Sequence, residues 1–515
     1  MTSYDIIVIG GGHNGLTTAA LLAARGRKVV LLERQAVLGG LAVGDEFHPG
    51  FTSAGLLHDT SVLRGHLVEA LDLARNGLAL TAQPPAVFSP QDPDRGPGLL
   101  LHHDPAEAAG EIEAHSAADV QRYGEYRAFI ERIRSFAGRL FDTEPPALVG
   151  PAASTWSLLR RGLALRRLGR RDMMELLRIG PMCVADWMNE WFESELLRCT
   201  LASPALTGTS AGPWSPGTAA NLLRLESLAG RAVGAGPAAL ICALEQAARR
   251  HGVDVRLESE VRHIRTAGGA VEGVDLTDGE PIDTRVVAAS CDPKQTFLKL
   301  LSPPAITPKL HHQIGTLRCR GSTAKVDLAL RGPLRFSCRP ELEIEHARVA
   351  ETIDDMERAS DAIKYGRCSE IPVLDVYVPS PPPPEHDGED RRVVSIVAHF
   401  APHDLASGWT DTERERLGDT VVATLARYAP DLQGRIIARR VLTPVDIEAR
   451  YGVTGGHIHH VEHALDQMIV RPAPQCARYA TPIRGLYLCG SGSHPGGGLT
   501  GAPGALAAAA VLRGW

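Results

Sequence analysis

The chain has 515 residues, with 54 lysines and arginines against 60 aspartates and glutamates, so its formal net charge is −6. Hydrophobic residues make up 44% and charged residues 22%, a globular composition that excludes a disordered or a collagen-like chain. Because nonspecific nucleic-acid binding requires a net basic surface, we expect no nucleic-acid partner.

Cysteine spacing and hydropathy exclude further classes of protein. The nine cysteines contain no CxxC pair, which excludes a zinc ribbon or a dithiol redox pair and argues against a secreted disulfide framework. The sequence has no run of about 18 apolar residues and no signal-peptide pattern, so a cytoplasmic location is expected. The 20 histidines show no ligand spacing, and no metal site is predicted.

The first forty residues predict a nucleotide-binding unit. Residues 4–9 (YDIIVI) are typical of a buried parallel strand, and residues 10–15 (GGGHNG) follow at once. A helix is predicted over residues 16–25 and a second strand over residues 28–32, which Glu33 follows. Strand, GxGxxG loop, helix, strand and acid in this order indicate a Rossmann-like dinucleotide site.

Each position of this unit has a physical reason. Gly10 permits the tight turn from strand to helix, Gly12 lets a pyrophosphate approach the backbone, and Gly15 lets the helix pack closely on the strand. The helix N-terminus offers unpaired N–H groups and partial positive charge to the phosphates. Glu33 can accept hydrogen bonds from both ribose hydroxyls and would repel a 2′-phosphate, which disfavours NADP.

Residues 105–227 are predicted to be mostly helical. Within them, residues 157–179 combine many arginines with leucine and methionine. Such a basic amphipathic stretch can lie on an anionic membrane and admit a lipophilic substrate, so peripheral membrane contact is one interpretation. The other, which the negative net charge favours, is a solvated helical face that covers the substrate cavity.

The middle of the chain is predicted to return to the first sheet. A helix over residues 238–250 precedes a β-meander whose last strand re-enters the sheet, with strands at residues 253–257, 260–262, 271–276 and 285–290. Gly234, Gly236 and Ala239 form a second GxGxxA pattern. Because no strand precedes it and no acid follows at the required distance, we do not interpret it as a second nucleotide site, and a tightly bound NAD(P) is not expected.

Residues 301–475 are predicted to have mixed α+β structure. Residues 323–330 alternate as a strand does, and two further strands, at residues 373–378 and 393–399, flank a proline-rich segment at residues 379–384. An exposed hairpin loop is favoured for this segment over a polyproline ligand for a partner protein.

The C-terminal residues decide which dinucleotide is bound. Residues 485–489 (GLYLC) predict a buried strand, residues 490–501 a glycine-rich loop, and residues 502–512 a helix. No acid-bearing strand follows, so this unit is expected to add a strand to the first sheet and to direct its helix at another part of the same ligand. A helix N-terminus at a flavin pyrimidine ring stabilises the negative charge of reduction, so FAD is the predicted cofactor.

Four segments carry a resemblance to a known family: VIGGGHNGLTTAALLAARGRKVVLLERQAVLGG, GWTDTERERLGDTVVATLARYAPDL, TPVDIEARYGVTGGHIHHVEHALDQMIVRP and GLYLCGSGSHPGGGLTGAPGALAA. Together they resemble the phytoene-desaturase-like FAD-dependent oxidoreductases, in particular the branch of flavin-dependent beta-carotene ketolases and pyridine-nucleotide-disulphide-oxidoreductase-domain proteins. The resemblance implies an α/β fold of the amine-oxidase type, a Rossmann-like FAD-binding domain with an inserted α+β substrate domain. The implied boundaries are 1–75, 228–300 and 476–515 for the FAD-binding domain, and 76–227 and 301–475 for the substrate-binding domain.

The resemblance also implies which residues contact FAD. Those expected at its ADP half are Gly10, Gly12, His13, Asn14, Gly15, Glu33, Arg34, Gly40, Leu41 and Val261. Those expected at the pyrophosphate and the flavin are Gly490, Gly492, Gly498, Leu499 and Thr500. The sequence departs from its relatives at His457 and His459, where they more often carry asparagine and an aromatic residue.

Flavin oxidation of a C–H bond needs the donor carbon close to the reactive flavin nitrogen and water excluded, so catalysis can rest mainly on positioning. The candidate catalytic residues are Lys325, His457 and His460, with His58 and His459 as further polar candidates. The resemblance supports two of them, because related amine oxidases use a lysine beside the flavin to orient a water, and relatives carry histidine at the position of His460. A surface lysine and structural histidines are the alternatives.

The expected function is desaturation or oxidation of a largely apolar small molecule by hydride transfer to flavin, the molecule being isoprenoid- or carotenoid-like or an intermediate of secondary metabolism. An amine or amino-acid oxidase on the same scaffold is an alternative, for which a polar anchor such as an arginine is expected in the cavity. A flavin-binding protein with a redox-neutral or structural role is another. No HExxH or GxSxG motif supports a hydrolase.

Overall fold

The computed structural model describes residues 4–147, 153–379 and 390–515. The strands in these residues are β1 Ile6–Ile9, β2 Val29–Leu32, β3 Glu46–His48, β4 Phe51–Thr52, β5 Val87–Ser89, β6 Leu99–Leu101, β7 Asp254–Arg256, β8 Val261–Ala267, β9 Ala270–Leu276, β10 Pro281–Asp283, β11 Val287–Ala289, β12 Thr323–Arg331, β13 His346–Val349, β14 Leu374–Tyr377, β15 Arg391–His399, β16 Ile436–Leu442 and β17 Leu486–Leu488. The α-helices are α1 His13–Ala23, α2 Gly65–Ala70, α3 Pro105–Glu113, α4 Ala117–Asp142, α5 Ala153–Arg166, α6 Arg170–Ile179, α7 Val184–Trp191, α8 Glu195–Ala202, α9 Thr218–Leu228, α10 Gly236–Arg250, α11 Pro308–Gly315, α12 Ile353–Lys364, α13 Asp411–Ala426, α14 Leu432–Arg435, α15 Pro444–Tyr451, α16 Leu465–Met468 and α17 Ala502–Arg513.

A five-stranded parallel sheet, in the order β17-β11-β1-β2-β7, forms the first layered unit. Strand β1 is apolar throughout because both of its faces are covered. Ile6 and Val8 pack in a core with α1, α10 and α17, whereas Ile7 and Ile9 pack in a second core with the antiparallel strands β8, β9 and β10. The predicted re-entry of the chain is confirmed, since β11 pairs with β1 and the C-terminal β17 pairs with β11.

A seven-stranded sheet, in the order β16-β12-β15-β14-β13-β5-β6, forms the second unit. On one face of β12, Val326 and Leu328 pack in a core with Val421 of α13. On the other face Lys325 and Asp327 are 1% and 0% exposed. This second face is polar but buried, because the β3–β4 hairpin covers it: Phe51 packs against Ala329 of β12, and Asp327 accepts a hydrogen bond from Ser53 Oγ at 2.9 Å.

The predicted helical region covers the space beside the seven-stranded sheet. Helices α4, α7, α8, α9 and α12 share one hydrophobic core. At its centre the ring of Tyr126 contacts those of Trp187, Trp191 and Phe192, with centroid distances of 5.6–5.8 Å. Ring contacts of this kind stabilise a core beyond the area they bury.

Two sequence predictions concern peripheral segments. The basic stretch at residues 157–179 divides into α5 and α6, with Gly169 at a φ of +85° between them. Among the described helices, none combines the length and the apolar character needed to cross a bilayer. Strands β14 and β15 pair antiparallel, as the predicted hairpin requires, while residues 380–384 of its proline-rich connection lie outside the described residues.

Candidate active site

Two neighbouring cavities lie where the parallel sheet meets the second unit. The smaller, of about 150 Å³, opens at the carboxyl ends of β1 and β2, and the larger, of about 260 Å³, lies against the polar face of the seven-stranded sheet. Leu57 lines both cavities. A cleft at the carboxyl edge of a parallel sheet is the usual ligand site of such folds.

Most of the residues predicted at the ADP half of the cofactor line the smaller cavity: Gly10, Gly12, His13, Asn14, Glu33, Arg34, Gly40, Leu41 and Val261. Gly498 and Leu499 line the larger cavity instead. The remaining predicted contacts, Gly15, Gly490, Gly492 and Thr500, line neither cavity.

The N-terminal glycine loop shows why Gly12 lines the smaller cavity and Gly15 lines neither cavity. Gly10 has a φ of +97°, and a Cβ on Gly15 would lie 1.9 Å from the Gly10 carbonyl oxygen, so Gly15 allows α1 to pack against the loop. A Cβ on Gly12, in contrast, would meet no atom within 4 Å. Gly12 therefore leaves open space in the cavity, and Gly15 is a packing position.

The acid at the end of β2 is held by the backbone around it. Glu33 Oε2 accepts the Gly11 N–H at 2.7 Å, and Oε1 accepts the Gln35 N–H at 2.8 Å. Each oxygen keeps a second lone pair, so the carboxylate is oriented yet can still accept ribose hydroxyls, the role predicted for it. Arg34 instead donates to the backbone oxygens of Ala449 and Arg450, and thereby holds the end of α15 at the cavity rim.

The C-terminal glycine loop joins the N-terminal unit, as the sequence predicts. Asn14 Nδ2 donates to Ser491 Oγ at 3.1 Å, and Thr18 Oγ1 donates to the Gly504 carbonyl at 3.0 Å. A Cβ on Gly504 would lie 2.3 Å from the Asn14 carbonyl oxygen, so glycine allows α17 to contact α1 closely. The two chain ends thus form one wall of the site.

Four histidines lie beneath the C-terminal glycine loop. His459 and His463 stack with ring centroids 4.5 Å apart, and His463 Nε2 accepts the Gly497 N–H at 3.0 Å. Burial and the charge of Arg471 lower the pKa of His457 to about 3 and that of His460 to about 4. The rings of His457 and His460 are therefore neutral near pH 7 and are weak bases there.

The two histidines predicted to be catalytic differ in position. His460 lines the smaller cavity, and its Nδ1 has no hydrogen-bond partner among the described residues. His457 lines neither cavity, and its Nδ1 accepts the His459 N–H at 3.2 Å, which fits the structural alternative. His459 lines the larger cavity.

Lys325 is buried and reaches the larger cavity through His58. Its Nζ lies 2.9 Å from His58 Nε2, donates to Ser395 Oγ, and is 3.7 Å from Asp327 Oδ1. Burial lowers the pKa of Lys325 to about 8, an effect that Asp327 opposes. His58 lines the cavity and stacks on Tyr377 at 4.9 Å, so the lysine supports a ring that faces the substrate space. The alternative of a surface lysine is wrong.

Other charged residues of the larger cavity were missed in the sequence. On β13 and β14, His346 Nε2 lies 2.5 Å from Asp375 Oδ1, and Arg348 Nε lies 4.0 Å from the same oxygen. Although burial opposes it, these two neighbours hold the pKa of Asp375 well below its usual value. The only indication in the sequence is that polar and apolar side chains alternate along these two strands. Such alternation is equally typical of a sheet with one face in solvent, so it does not identify a cavity.

Arg224 and Arg471 were also missed, because single charges in apolar surroundings give no motif. Arg224 Nη1 donates to the Gly497 carbonyl at 3.2 Å, and Arg471 Nη2 donates to the Val461 carbonyl at 2.8 Å. Burial lowers the pKa of Arg224 to about 10 and that of Arg471 to about 9. Both guanidinium groups hold backbone near the glycine loop.

The polar atoms of the smaller cavity fit a nucleotide ligand such as the predicted FAD. Within the described residues, His13 Nε2, Asn14 Oδ1 and His460 Nδ1 are buried without hydrogen-bond partners, and all three residues line this cavity. Buried polar atoms without partners destabilise a protein unless a ligand or water satisfies them. Together with the open space at Gly12, they indicate a site shaped for a polar ligand.

Comparison with known proteins agrees with this geometry. A model of the DAO family, described as FAD dependent oxidoreductase, matches residues 5–166. The chain is 32% identical to pyridine nucleotide-disulfide oxidoreductase domain-containing protein 2 of Rattus norvegicus, over 99% of this chain and 93% of that protein. It is 27% identical to phytoene desaturase (lycopene-forming) of Pseudescherichia vulneris, over 98% of each. The solved structure of wild-type putrescine oxidase bound to putrescine shares the fold, with a TM-score of 0.57 at 15% identity over 99% of both chains.

Proposed function

Since the chain belongs to the phytoene-desaturase-like family of FAD-dependent oxidoreductases, we propose that it removes hydrogen from a largely apolar small molecule by hydride transfer to FAD. The proposed substrate is isoprenoid- or carotenoid-like or an intermediate of secondary metabolism, in line with the phytoene named for one relative. The observation that carries this proposal is the larger cavity, which adjoins the cofactor cavity and has many aliphatic lining residues: Leu56, Leu57, Val62, Val87, Leu101, Leu201, Leu222, Leu225, Val233, Val397 and Leu499.

Bound FAD supplies the two-electron acceptor that takes the hydride. When a C–C bond becomes a double bond, a proton must leave the neighbouring carbon as well, and we assign its uptake to His58. The ring of His58 faces the larger cavity, and its Nδ1 has no hydrogen-bond partner among the described residues. Burial and the charge of Lys325 lower the pKa of His58 well below its usual value, so the ring is neutral near pH 7 and is too weak a base to keep the proton, which must therefore move on to another group.

Lys325 is proposed as the group that receives this proton from His58. Its Nζ lies beside Nε2, the ring nitrogen opposite Nδ1. Because its pKa is lowered to about 8, a substantial fraction of the amine is neutral near pH 8 and can accept a proton. Asp327, which lies 3.7 Å from Nζ and accepts a hydrogen bond from Arg440 Nη2 at 2.8 Å, balances the resulting charge. The pair therefore keeps an acid–base group at the cavity wall, with His58 half-buried at the cavity and Lys325 buried behind it.

One observation favours the alternative of an amine or amino-acid oxidase. The cavity wall carries Asp375 with His346 and Arg348, and a buried carboxylate of this kind can hold a substrate ammonium group. His346 and Arg348 already offset the charge of Asp375, so this carboxylate needs no ligand. An entirely apolar substrate is therefore also compatible with this part of the cavity wall. Peroxide production and the polarity of accepted substrates separate the two functions.

The proposed function is tested on purified protein with bound FAD. We expect an apolar isoprenoid from a panel of isoprenoids, amines and amino acids to bleach the flavin absorbance under anaerobic conditions, with a product two hydrogen atoms lighter. Reduction by amines alone, with release of peroxide in air, would establish the alternative. Dithionite serves as the control for a reducible flavin, and a flavin that only dithionite reduces would favour a redox-neutral or structural role.

We further propose that the protein works in the cytoplasm with α5 and α6 in peripheral contact with an anionic membrane. Leu159 and Leu177 are 60% and 55% exposed on these helices, next to exposed arginines such as Arg166 and Arg170. Exposed apolar and basic side chains on the same two helices match the interface of a bilayer that contains anionic lipid. Such a position would let a lipophilic substrate reach the cavity without crossing water.

Replacing Leu159 and Leu177 by glutamate is expected to reduce vesicle binding by about tenfold or more, because two inserted side chains are lost and two repelling charges are gained. Co-sedimentation with phosphatidylcholine vesicles, with and without phosphatidylserine, measures the effect. Ile371→Glu is the matched control, since Ile371 is 53% exposed in another part of the chain. Vesicle binding of the wild type that does not increase with phosphatidylserine, or an equal loss of vesicle binding in Ile371→Glu, would contradict the membrane contact.

A further inference from the structure

Arg224 stands apart from the other arginines that line the larger cavity. It lies on α9 and is 2% exposed. Among the described residues, its guanidinium donates to the Gly497 carbonyl at 3.2 Å and lies 3.3 Å from Nδ1 of His463, whose Nε2 already accepts the Gly497 N–H. The Nε of Arg224 has no hydrogen-bond partner in the part of the chain that the structure describes. In the same residues no carboxylate lies within 4 Å of this guanidinium, so a donor and a positive charge are left over at the cavity wall.

The other two cavity arginines are compensated by acids. Arg127 Nη1 lies 2.5 Å from Glu226 Oε2, and Arg348 pairs with Asp375. A buried charge without a partner is costly, and proteins normally pair it. The lack of such a partner at Arg224 is therefore a feature that a ligand would explain.

The neighbours of Arg224 do not supply the missing negative charge. Burial and the charge of Arg224 itself keep the pKa of His463 well below its usual value, and the pKa of His459 is likewise well below, so both rings are neutral. Arg471 adds a second positive charge nearby. Asp59 and Glu345, the remaining acids of the cavity wall, are both exposed. Asp59 accepts hydrogen bonds from Ser61, and its charge raises the pKa of Arg224 only in part against the effect of burial. This end of the cavity consequently carries a positive potential.

The position of Arg224 relates that potential to the substrate. Gly497, whose carbonyl Arg224 binds, directly precedes Gly498 and Leu499, the predicted flavin contacts that line the same cavity. Beyond Arg224 the wall is formed by aliphatic side chains such as Leu222 and Leu225. One anionic group at the cofactor end and an apolar body along the remaining wall would satisfy both features.

We propose that Arg224 binds the carboxylate of the substrate, and that the substrate class is therefore a carboxylic acid with a long apolar body. This inference rests on the proposed function, which it narrows from apolar molecules in general to amphipathic acids. A planar guanidinium suits a carboxylate because it offers parallel N–H donors in a fixed geometry. The carboxylate is held near the glycine loop, so the bond that is oxidised lies close to the acid group.

The test measures binding of decanoate, 1-decanol and decylamine to the FAD-loaded protein by isothermal titration calorimetry. Decanoate is expected to bind about 10- to 100-fold more tightly than decanol, the range for a hydrogen-bonded charge pair, and decylamine more weakly than either. In Arg224→Met this preference for decanoate over decanol is expected to disappear, whereas Arg224→Lys retains part of it. Arg348→Met is the matched control, because Arg348 lines the same cavity with its charge already offset, and we expect it to keep the preference within about threefold.

Several outcomes would overturn the carboxylate site. They are equal binding of the three ligands by the wild type, an unchanged preference in Arg224→Met, or an equal weakening of decanoate and decanol in that variant. The wild-type comparison needs no substitution and decides the matter even if Arg224→Met does not fold. Failure of the proposed function is distinguishable: a flavin that no compound bleaches, in a protein that still selects decanoate, would remove the oxidoreductase role and leave the acid site.

Discussion

Replacing Gly12 by valine is expected to give a folded protein that has lost at least about 100-fold in FAD affinity, which corresponds to about 2.7 kcal/mol of binding free energy. Gly12 has φ −69° and ψ 171°, an extended conformation that valine adopts without strain. A Cβ at this position meets no protein atom within 4 Å and enters the cofactor cavity, so the new side chain takes space that a pyrophosphate needs. Flavin absorbance of the purified variant and FAD titration of its apoprotein measure the loss.

The matched control is Gly15→Ala, only three residues away. Its Cβ would lie 1.9 Å from the Gly10 carbonyl oxygen, so α1 must move away from the loop. We expect this smaller substitution to lower the free energy of unfolding by about 1–3 kcal/mol or more, whereas Gly12→Val unfolds close to the wild type. If Gly12→Val kept wild-type FAD affinity, or if it lost stability as Gly15→Ala does, the assignment of the smaller cavity to the cofactor would be wrong.

Lys325→Met is expected to lower the rate of substrate-dependent flavin reduction by about 10²- to 10⁴-fold while FAD content stays at the wild-type level. The methionine fills similar space, but it can neither bind His58 Nε2 nor take up a proton from it. Lys325 lines neither cavity, so the cofactor contacts are unaffected. Anaerobic stopped-flow measurement of flavin bleaching, with the substrate found in the panel, gives the rate.

The pH profile separates proton uptake from a purely structural role. Because burial lowers the pKa of Lys325 to about 8, the amine is charged below and neutral above that pH, and the wild-type rate should rise as pH increases through about 8. Lys325→Arg keeps the positive charge but cannot lose its proton, so we expect it to be as slow as Lys325→Met at every pH. A rate restored by arginine, or a wild-type profile that is flat between pH 7 and about 9, would show that only the charge or the packing matters.

The nucleotide-binding unit could be predicted from the sequence because its constraints are local. A buried strand, a tight turn and a close helix contact each require particular residue types within a few positions, as the clash of a Cβ on Gly15 shows. The same holds for the C-terminal strand, glycine loop and helix. Addition of β17 to the first sheet was predictable because no acid-bearing strand follows its glycine loop and helix, whereas its pairing with β11 was seen only in the structure.

The substrate side of the site could be predicted only in part. Alternation along β12 identifies two faces, with Lys325 and Asp327 on one and Val326 and Leu328 on the other. In a sheet with one covered face the polar side would meet water, and Lys325 would then be an ordinary surface lysine. The β3–β4 hairpin covers that face instead, and this burial gives Lys325 its lowered pKa and its contact with His58.

The sequence by itself determined the dinucleotide site, the kind of cofactor, and a parallel sheet whose strands come from the start, the middle and the end of the chain. It could do so because the glycine, strand and helix patterns act over short distances along the chain. Only the tertiary structure decided which charged side chains share the larger cavity. Lys325 and His58 are 267 residues apart, and Arg224 and Gly497 are 273 apart, so no local pattern relates them. Their chemistry follows from burial and from the absence or presence of a partner charge, which are properties of the packed molecule and not of any single segment.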